Sequence, residues 1–99
     1  MNDHRRQKLW QGADLDIDSL LLHNEEYHPI FLQNISEYGI NFTTKAPINI
    51  GDEVEISLNS LNVYCIIYDY SLEIFKGIFR YPIDIISIIK KDGQSTAKI

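Results

Sequence analysis

Residues 53–70 read EVEISLNSLNVYCIIYDY, and this stretch decides the fold class. Apolar and polar side chains alternate over 53–58, which is the period of a strand with one buried face. Asn59-Ser60 is a turn pair, and the ten residues after it are rich in isoleucine and tyrosine, which favour strands. The stretch therefore predicts a strand, a tight turn and a longer returning strand.

Four further extended runs flank this stretch, at 15–21, 28–34, 40–43 and 74–80. Turn residues separate them, and Gly39 is expected to supply a positive φ in the turn at 34–39. Six strands at short and even spacing predict a mostly β fold, a small six-stranded antiparallel barrel, with a sandwich as the alternative. Closure into a barrel also removes exposed sheet edges.

The pattern changes after Pro82. The isoleucines between 85 and 89 have the spacing of one apolar helix face, with Asp84 at the start and Gly93 as the stop. Lys90 and Lys91 favour the helix end. A short C-terminal helix is predicted, and a seventh strand is the alternative because isoleucine is a mediocre helix former. The predicted organisation is a basic arm at 1–12, a domain at 13–93 and a flexible tail at 94–99.

The length, charge and cysteine count indicate one small domain and argue against several classes of partner and location. The chain has 99 residues, and its formal net charge of −5 argues against binding of a nucleic-acid polymer. The single cysteine, Cys65, excludes an internal disulfide and indicates a reducing compartment. No signal peptide and no membrane insertion are expected, because neither end of the chain nor its interior carries the necessary apolar run.

Three features of the sequence resemble sites for metal binding or catalysis, but each lacks a residue or spacing that such a site requires. The acidic stretch 14–18 (DLDID) resembles the start of a calcium loop, but Ser19 stands where glycine is required for the sharp turn. The three histidines and Cys65 have no recognised zinc spacing. Ser36 lacks the context of an activated nucleophile. We therefore expect no metal site, no cofactor and no enzymatic activity.

The long strand is rich in tyrosine. Tyr64, Tyr68 and Tyr70 are expected to share one face and to be partly buried, with the core side chains on the other face. A protein-binding patch is the alternative, since tyrosine is enriched at interfaces. The aromatic residue of the arm, Trp10, is expected to pack the arm against the barrel.

Residues 34–39 read Asn-Ile-Ser-Glu-Tyr-Gly and match Asp/Asn-x-Ser-x-x-Gly. Downstream, IGDEVEI at 50–56 and KGIF at 76–79 follow in order, and a basic segment, HRRQKLW at 4–10, precedes them. This series resembles the PilZ family of cyclic di-GMP receptor domains over roughly residues 4–91. The resemblance implies a bacterial cytoplasmic location.

The resemblance also implies a ligand, cyclic di-GMP, held between the arm and the turn. Arginine can form paired bonds to phosphate or to a guanine edge and can stack on the base. The alternative role of Trp10, instead of packing the arm against the barrel, is to stack on a guanine. The ligand-binding residues implied are Arg5, Arg6 and Lys8 of the arm and Asn34, Ser36 and Gly39 of the turn.

The arm departs from the family pattern of two arginines four positions apart. Counting from Arg5 places Leu9 at the second position, and counting from Arg6 places Trp10 there. Two hypotheses therefore stand: a receptor, monomeric or weakly dimeric, that relays cyclic di-GMP to an unidentified effector protein, or a degenerate adaptor. The adaptor would not bind the nucleotide and would act through protein contacts in motility or pilus assembly. An oligonucleotide-binding barrel is a third alternative that the acidic charge disfavours.

Overall fold

The computed structural model describes residues 9–12 and 15–88. Within them the chain is mostly β, as the sequence predicts. In chain order the strands are β1 (Trp10–Gln11), β2 (Ser19–His23), β3 (Glu26–Ile35), β4 (Gly39–Thr44), β5 (Glu53–Leu58), β6 (Leu61–Ser71) and β7 (Ile74–Phe79).

Strands β2 to β7 form a closed six-stranded antiparallel barrel. The pairing order is β3-β2-β5-β6-β7-β4, and β4 returns to β3 to close it. Two three-stranded meanders make up the barrel, an N-terminal meander of β2–β4 and a C-terminal meander of β5–β7. They join along two seams, β2 with β5 and β4 with β7. The predicted barrel is confirmed.

One face of each barrel strand fills the core. In β5 the alternation is strict, with Val54, Ile56 and Leu58 buried and the residues between them outside. The same alternation produces a core dominated by isoleucine and phenylalanine. Its most deeply buried large side chains are Phe42, Leu21, Ile35, Ile40, Ile56, Leu58 and Ile67.

Three two-residue turns connect the hairpins, at 24–25, 59–60 and 72–73. Both residues of each turn have positive φ, which the twist of a tight hairpin favours. Asn24 and Asn59 lead the first two turns, and asparagine tolerates this conformation. The third turn has Leu72 (φ 53°) at its first position, where the other two have asparagine, and leucine tolerates this conformation less well.

Two β-bulges interrupt the ladders. The register skips Gln33 in β3 and Tyr68 in β6. Beyond the second bulge Tyr70 pairs with Phe75, and their ring centroids lie 4.3 Å apart. Because directly paired residues share a face, Tyr70 lies on the inner side at the end of the barrel. The prediction that Tyr64, Tyr68 and Tyr70 share one face is therefore wrong for Tyr70.

The first barrel strand begins later than its alternation predicts. Ser19 pairs with Leu58, the last residue of β5, so no partner strand continues past that point. Asp18 instead bonds the turn: its N–H donates to Oδ1 of Asn59 (2.8 Å), and its carbonyl accepts from the N–H of Asn59 (2.9 Å). Leu15 and Ile17 still pack against the core.

A short helix follows the barrel and starts at residue 85. The carboxylate of Asp84 caps it, because Oδ1 accepts from the N–H of Ser87 (3.2 Å) and Oδ2 from its hydroxyl (2.8 Å). Ile85 and Ile88 are buried against the barrel. The predicted helix is confirmed over the seventh-strand alternative.

The predicted helix end at Lys90, Lys91 and Gly93, and the predicted tail at 94–99, lie outside the described residues. In the described part of the chain, no helix has the length and apolar character needed to cross a membrane.

Candidate functional site

Ser36 organises the turn between β3 and β4. It is only 4% exposed, and its Oγ accepts from the N–H of Tyr38 (3.2 Å) and of Gly39 (3.3 Å). Its own N–H donates to the carbonyl of Gly39 (2.9 Å). These bonds are the ordinary chemistry of a serine turn. The hydroxyl therefore fixes the shape of the turn.

Asn34 is held by a residue that sequence reasoning missed. Nδ2 of Asn41 donates to Oδ1 of Asn34 at 2.7 Å, across the β3–β4 pairing. The bulge at Gln33 produces this register, because without the extra residue Asn34 would not face Asn41. The available signal was a second asparagine seven positions on, between the buried Ile40 and Phe42.

Gly39 is required by the neighbouring strand rather than by its φ. A Cβ at this position would lie 2.8 Å from the carbonyl oxygen of Gly77 in β7. Among the described glycines only Gly51 has a positive φ, 97°. The prediction that Gly39 supplies a positive φ is therefore wrong, and the close approach that it permits is between β4 and β7.

A surface groove of about 270 Å³ runs along this turn. Tyr38 and Tyr68 line it and are 45% and 53% exposed. The bulge in β6 directs Tyr68 toward it. The groove combines polar amides with aromatic rings, and its remaining lining residues are Leu9, Asn34, Ser36, Gly39, Ile40, Asn41, Gly77 and Ile78.

The structure brings the base of the arm to this groove. In β1, Gln11 pairs with Asn34 and Trp10 with Ile35, and Leu9 lines the groove. Trp10 is half-buried and packs against the core, which confirms its predicted packing role. The arm residues Arg5, Arg6 and Lys8, and His4 beside them, lie outside the described residues.

No lysine or arginine of the described residues lines the groove. The nearest described cations are engaged elsewhere: Lys76 pairs with Asp69 (3.6 Å) and Arg80 with Glu53 (2.5 Å). Both ion pairs are about half-exposed and contribute little to stability. An anion in the groove would therefore depend on the basic arm for its countercharge.

Beneath the groove, Cys65 packs against Gly77. A Cβ at Gly77 would lie 2.8 Å from the Cys65 sulfur. Burial, with a smaller contribution from Glu53, raises the pKa of the Cys65 thiol from 9.0 to about 12. A thiol this far from ionisation is a poor nucleophile and metal ligand, so Cys65 is a packing residue.

The metal-like patterns of the sequence do not assemble. Across residues 9–12 and 15–88, no three histidine, cysteine or carboxylate side chains lie close enough to hold a metal ion. Glu25, which is the twelfth position of the calcium-like pattern counted from Asp14, lies in a hairpin turn. His23 and His28 lie beside each other, with ring centroids 6.4 Å apart, and Nε2 of His28 is 3.9 Å from one carboxylate oxygen, Oε1 of Glu26.

Comparison with known proteins adds no family: no protein-family model matches the chain, and no curated protein is significantly similar to it.

Proposed function

We propose that this chain is a PilZ-like receptor that binds cyclic di-GMP in the groove and relays the signal to a protein partner. The observation that carries the proposal is the position of Leu9. This residue directly follows Lys8, the last basic residue of the arm, and it lines the same groove as the Asn-x-Ser-x-x-Gly turn at 34–39. The shared groove supports a site between the arm and the turn, which is the arrangement that the resemblance implies.

The groove offers what a guanine nucleotide requires. The exposed rings of Tyr38 and Tyr68 provide stacking surfaces for a base. The amides of Asn34 and Asn41 provide hydrogen-bonding groups beside them, since asparagine both donates and accepts. Ser36 contributes by holding the turn in shape.

The phosphates of the ligand require positive charge, which the described lining lacks. Arg5, Arg6 and Lys8 precede Leu9 by no more than four residues. Adjacent Cα atoms are about 3.8 Å apart, so the arm is long enough to reach the groove. Closure of the arm over the ligand would change the surface that an effector protein meets.

Isothermal titration calorimetry with cyclic di-GMP, and with GTP as the control, tests the proposal. Saturable binding of cyclic di-GMP at micromolar concentration, without binding of GTP, is the expected result. Absence of heat at high ligand concentration would remove the receptor function and leave the barrel unchanged.

The arm is tested by Arg5→Ala and Arg6→Ala. Each variant loses charge-assisted hydrogen bonds to the ligand, so its affinity for cyclic di-GMP should fall roughly tenfold or more. Lys45→Ala is the matched control, because it removes one positive charge at the far end of the β3–β4 hairpin. Unchanged affinity in both arginine variants would remove the arm from the site.

A second candidate function is the nucleotide-independent adaptor. The outer face of β6 and β7 favours it, because Tyr64, Ile66 and Ile78 are exposed there and Ile66 pairs directly with Ile78. Clusters of exposed apolar residues mark interaction sites. Ile66→Asp should then abolish partner capture whether or not cyclic di-GMP is added. Capture that requires the nucleotide would exclude this function.

A further inference from the structure

We propose a second binding site, for a planar aromatic monocarboxylate that carries an N–H donor, of the indole-carboxylate type. The site is a cavity of about 530 Å³, which we call the end cavity. It lies where β3 begins and β4 and β6 end, at the far end of the β3–β4 hairpin from the groove. Its volume falls within the range typical of small-molecule sites. This inference does not rest on the proposed function.

Two aromatic rings from different strands line the end cavity, Phe31 of β3 and Tyr70 of β6. Tyr70 is oriented by the core: its ring lies 4.3 Å from that of Phe75, which in turn stacks on Phe42 at 5.9 Å. Phe31 is 69% exposed. A tyrosine that packs on the core and is still 46% exposed, and an exposed phenylalanine, suit a flat aromatic ring on this cavity.

Lys45 provides positive charge on the same cavity. Of the three lysine and arginine residues in the described part of the chain, two form ion pairs and Lys45 does not. Thr44 fixes the backbone beside it, because Oγ1 donates to the carbonyl of Pro29 (3.0 Å) and accepts from the N–H of Ala46 (3.2 Å). Lys45 is therefore an exposed cation on a defined stretch of backbone, available to an anionic group of the ligand.

Glu73 provides an acceptor on the opposite element, the β6–β7 turn. Its φ of 66° is that of a two-residue hairpin turn. The turn brings Glu73 to the lining of the end cavity, across from Lys45. A ring N–H of the ligand would donate to this carboxylate.

The charges also decide which anion fits. One lysine and one glutamate on the same cavity leave little excess positive charge, so a monoanion is favoured over a phosphate dianion. Indole-3-acetate has the ring, the N–H and the single carboxylate. Neutral indole lacks the partner for Lys45, and 1-methylindole-3-acetate lacks the donor for Glu73.

The test is a titration of the isotope-labelled chain with indole-3-acetate, followed by amide chemical shifts. We expect saturable shifts at residues 28–31, 43–46 and 70–73, with weaker binding of the two analogues and weaker binding still of GMP. Lys45→Ala and Phe31→Ser should each reduce affinity roughly tenfold. The matched controls, Lys76→Ala and Ile66→Ser, should bind as the wild type does.

Four results would overturn the proposal. Three of them are absence of shifts around the end cavity at millimolar indole-3-acetate, shifts that persist in both cavity variants, and tighter binding of GMP than of indole-3-acetate. Shifts confined to residues 34–41 would also do so, because they would assign the probe to the groove. Cyclic di-GMP is assigned to the groove and indole-3-acetate to the end cavity. Absence of binding at one site is therefore distinguishable from absence of binding at the other.

Discussion

At position 77 the barrel has no room for a side chain. A Cβ on Gly77 would lie 2.8 Å from the sulfur of Cys65 and 3.5 Å from Cδ1 of Ile67. Overpacking of a closed core typically costs about 1–3 kcal/mol. We therefore expect Gly77→Ala to lower the free energy of unfolding by about that amount, measured by urea denaturation.

The double variant Gly77→Ala/Cys65→Ala isolates the contact. Removal of the sulfur leaves the nearest Cys65 atom, Cβ, at 3.4 Å from the new methyl group. Gly77→Ala should then cost less in the Cys65→Ala background than in the wild type. Equal costs in both backgrounds would show that the sulfur contact is not the cause.

The buried thiol of Cys65 makes stability depend on pH. Burial raises its pKa from 9.0 to about 12, so the unfolded chain releases this proton above about pH 9 while the folded chain retains it. The contribution of the Cys65 thiol to the free energy of unfolding is complete below pH 9. It is lost as pH rises toward 12, with a slope of up to about 1.4 kcal/mol per pH unit. Urea unfolding between about pH 8 and pH 10 measures it.

Cys65→Ala is the control for this pH dependence, since tyrosines and lysines titrate in the same range. The variant should lose stability less steeply with rising pH than the wild type does. Parallel pH profiles would contradict a contribution from the thiol.

Among the three two-residue turns, the β6–β7 turn is the one that begins with leucine instead of asparagine. Leu72 has positive φ and is 91% exposed, so the side chain gains almost nothing by packing. Asparagine leads the other two turns at the same conformation. Leu72→Asn should raise the free energy of unfolding by about 0.5–1 kcal/mol.

Leu72→Ala is the matched control, because it removes the exposed side chain without relieving the backbone. Its urea midpoint should stay close to that of the wild type. If alanine stabilises as much as asparagine does, strain at this turn is not what the substitution relieves.

The elements could be predicted from sequence where the pattern is local. Strand alternation fixed β5, and turn residues marked the hairpin at Asn59-Ser60. The bulges could not be predicted, because nothing in the residue types of Gln33 or Tyr68 distinguishes them from their neighbours. A single skipped residue reverses every later side chain, which is why Tyr70 lies on the inner side.

The candidate site was also predictable only in part, where its pattern is local in sequence. The motif located Asn34, Ser36 and Gly39, and the structure brings all three to one groove. The reasons for two of them were not visible. Position 39 requires glycine because the carbonyl of Gly77, 38 positions away in sequence, leaves no room for a side chain. Asn34 bonds Asn41 because the bulge shifts the register of β3.

For the molecule as a whole, Gly12 controls the attachment of the arm. A Cβ at this position would meet the carbonyl oxygen of Leu32, so Gly12→Ala should displace β1 from β3. The barrel itself should remain folded, because β1 contributes only two residues to its pairing. Trp10, the single tryptophan, should become more exposed, and its fluorescence emission should shift to longer wavelength.

Far-ultraviolet circular dichroism is the control for Gly12→Ala, since it reports whether the barrel persists. If the receptor function holds, affinity for cyclic di-GMP should fall together with the emission shift. Unchanged Trp10 emission would contradict the role of Gly12 in seating the arm.

The two meanders have one covalent connection, the loop at 45–52 that leads from β4 to β5. Every pairing within a meander is between neighbouring strands, whereas both seams join residues far apart in sequence, such as Leu21 with Ile56 and Ile40 with Gly77. Local pairs close quickly and distant ones slowly, so joining of the seams is the late event in folding. Cutting the chain in this loop would leave two halves with complementary apolar faces, and their reassembly would turn barrel closure into a bimolecular reaction with a concentration-dependent rate.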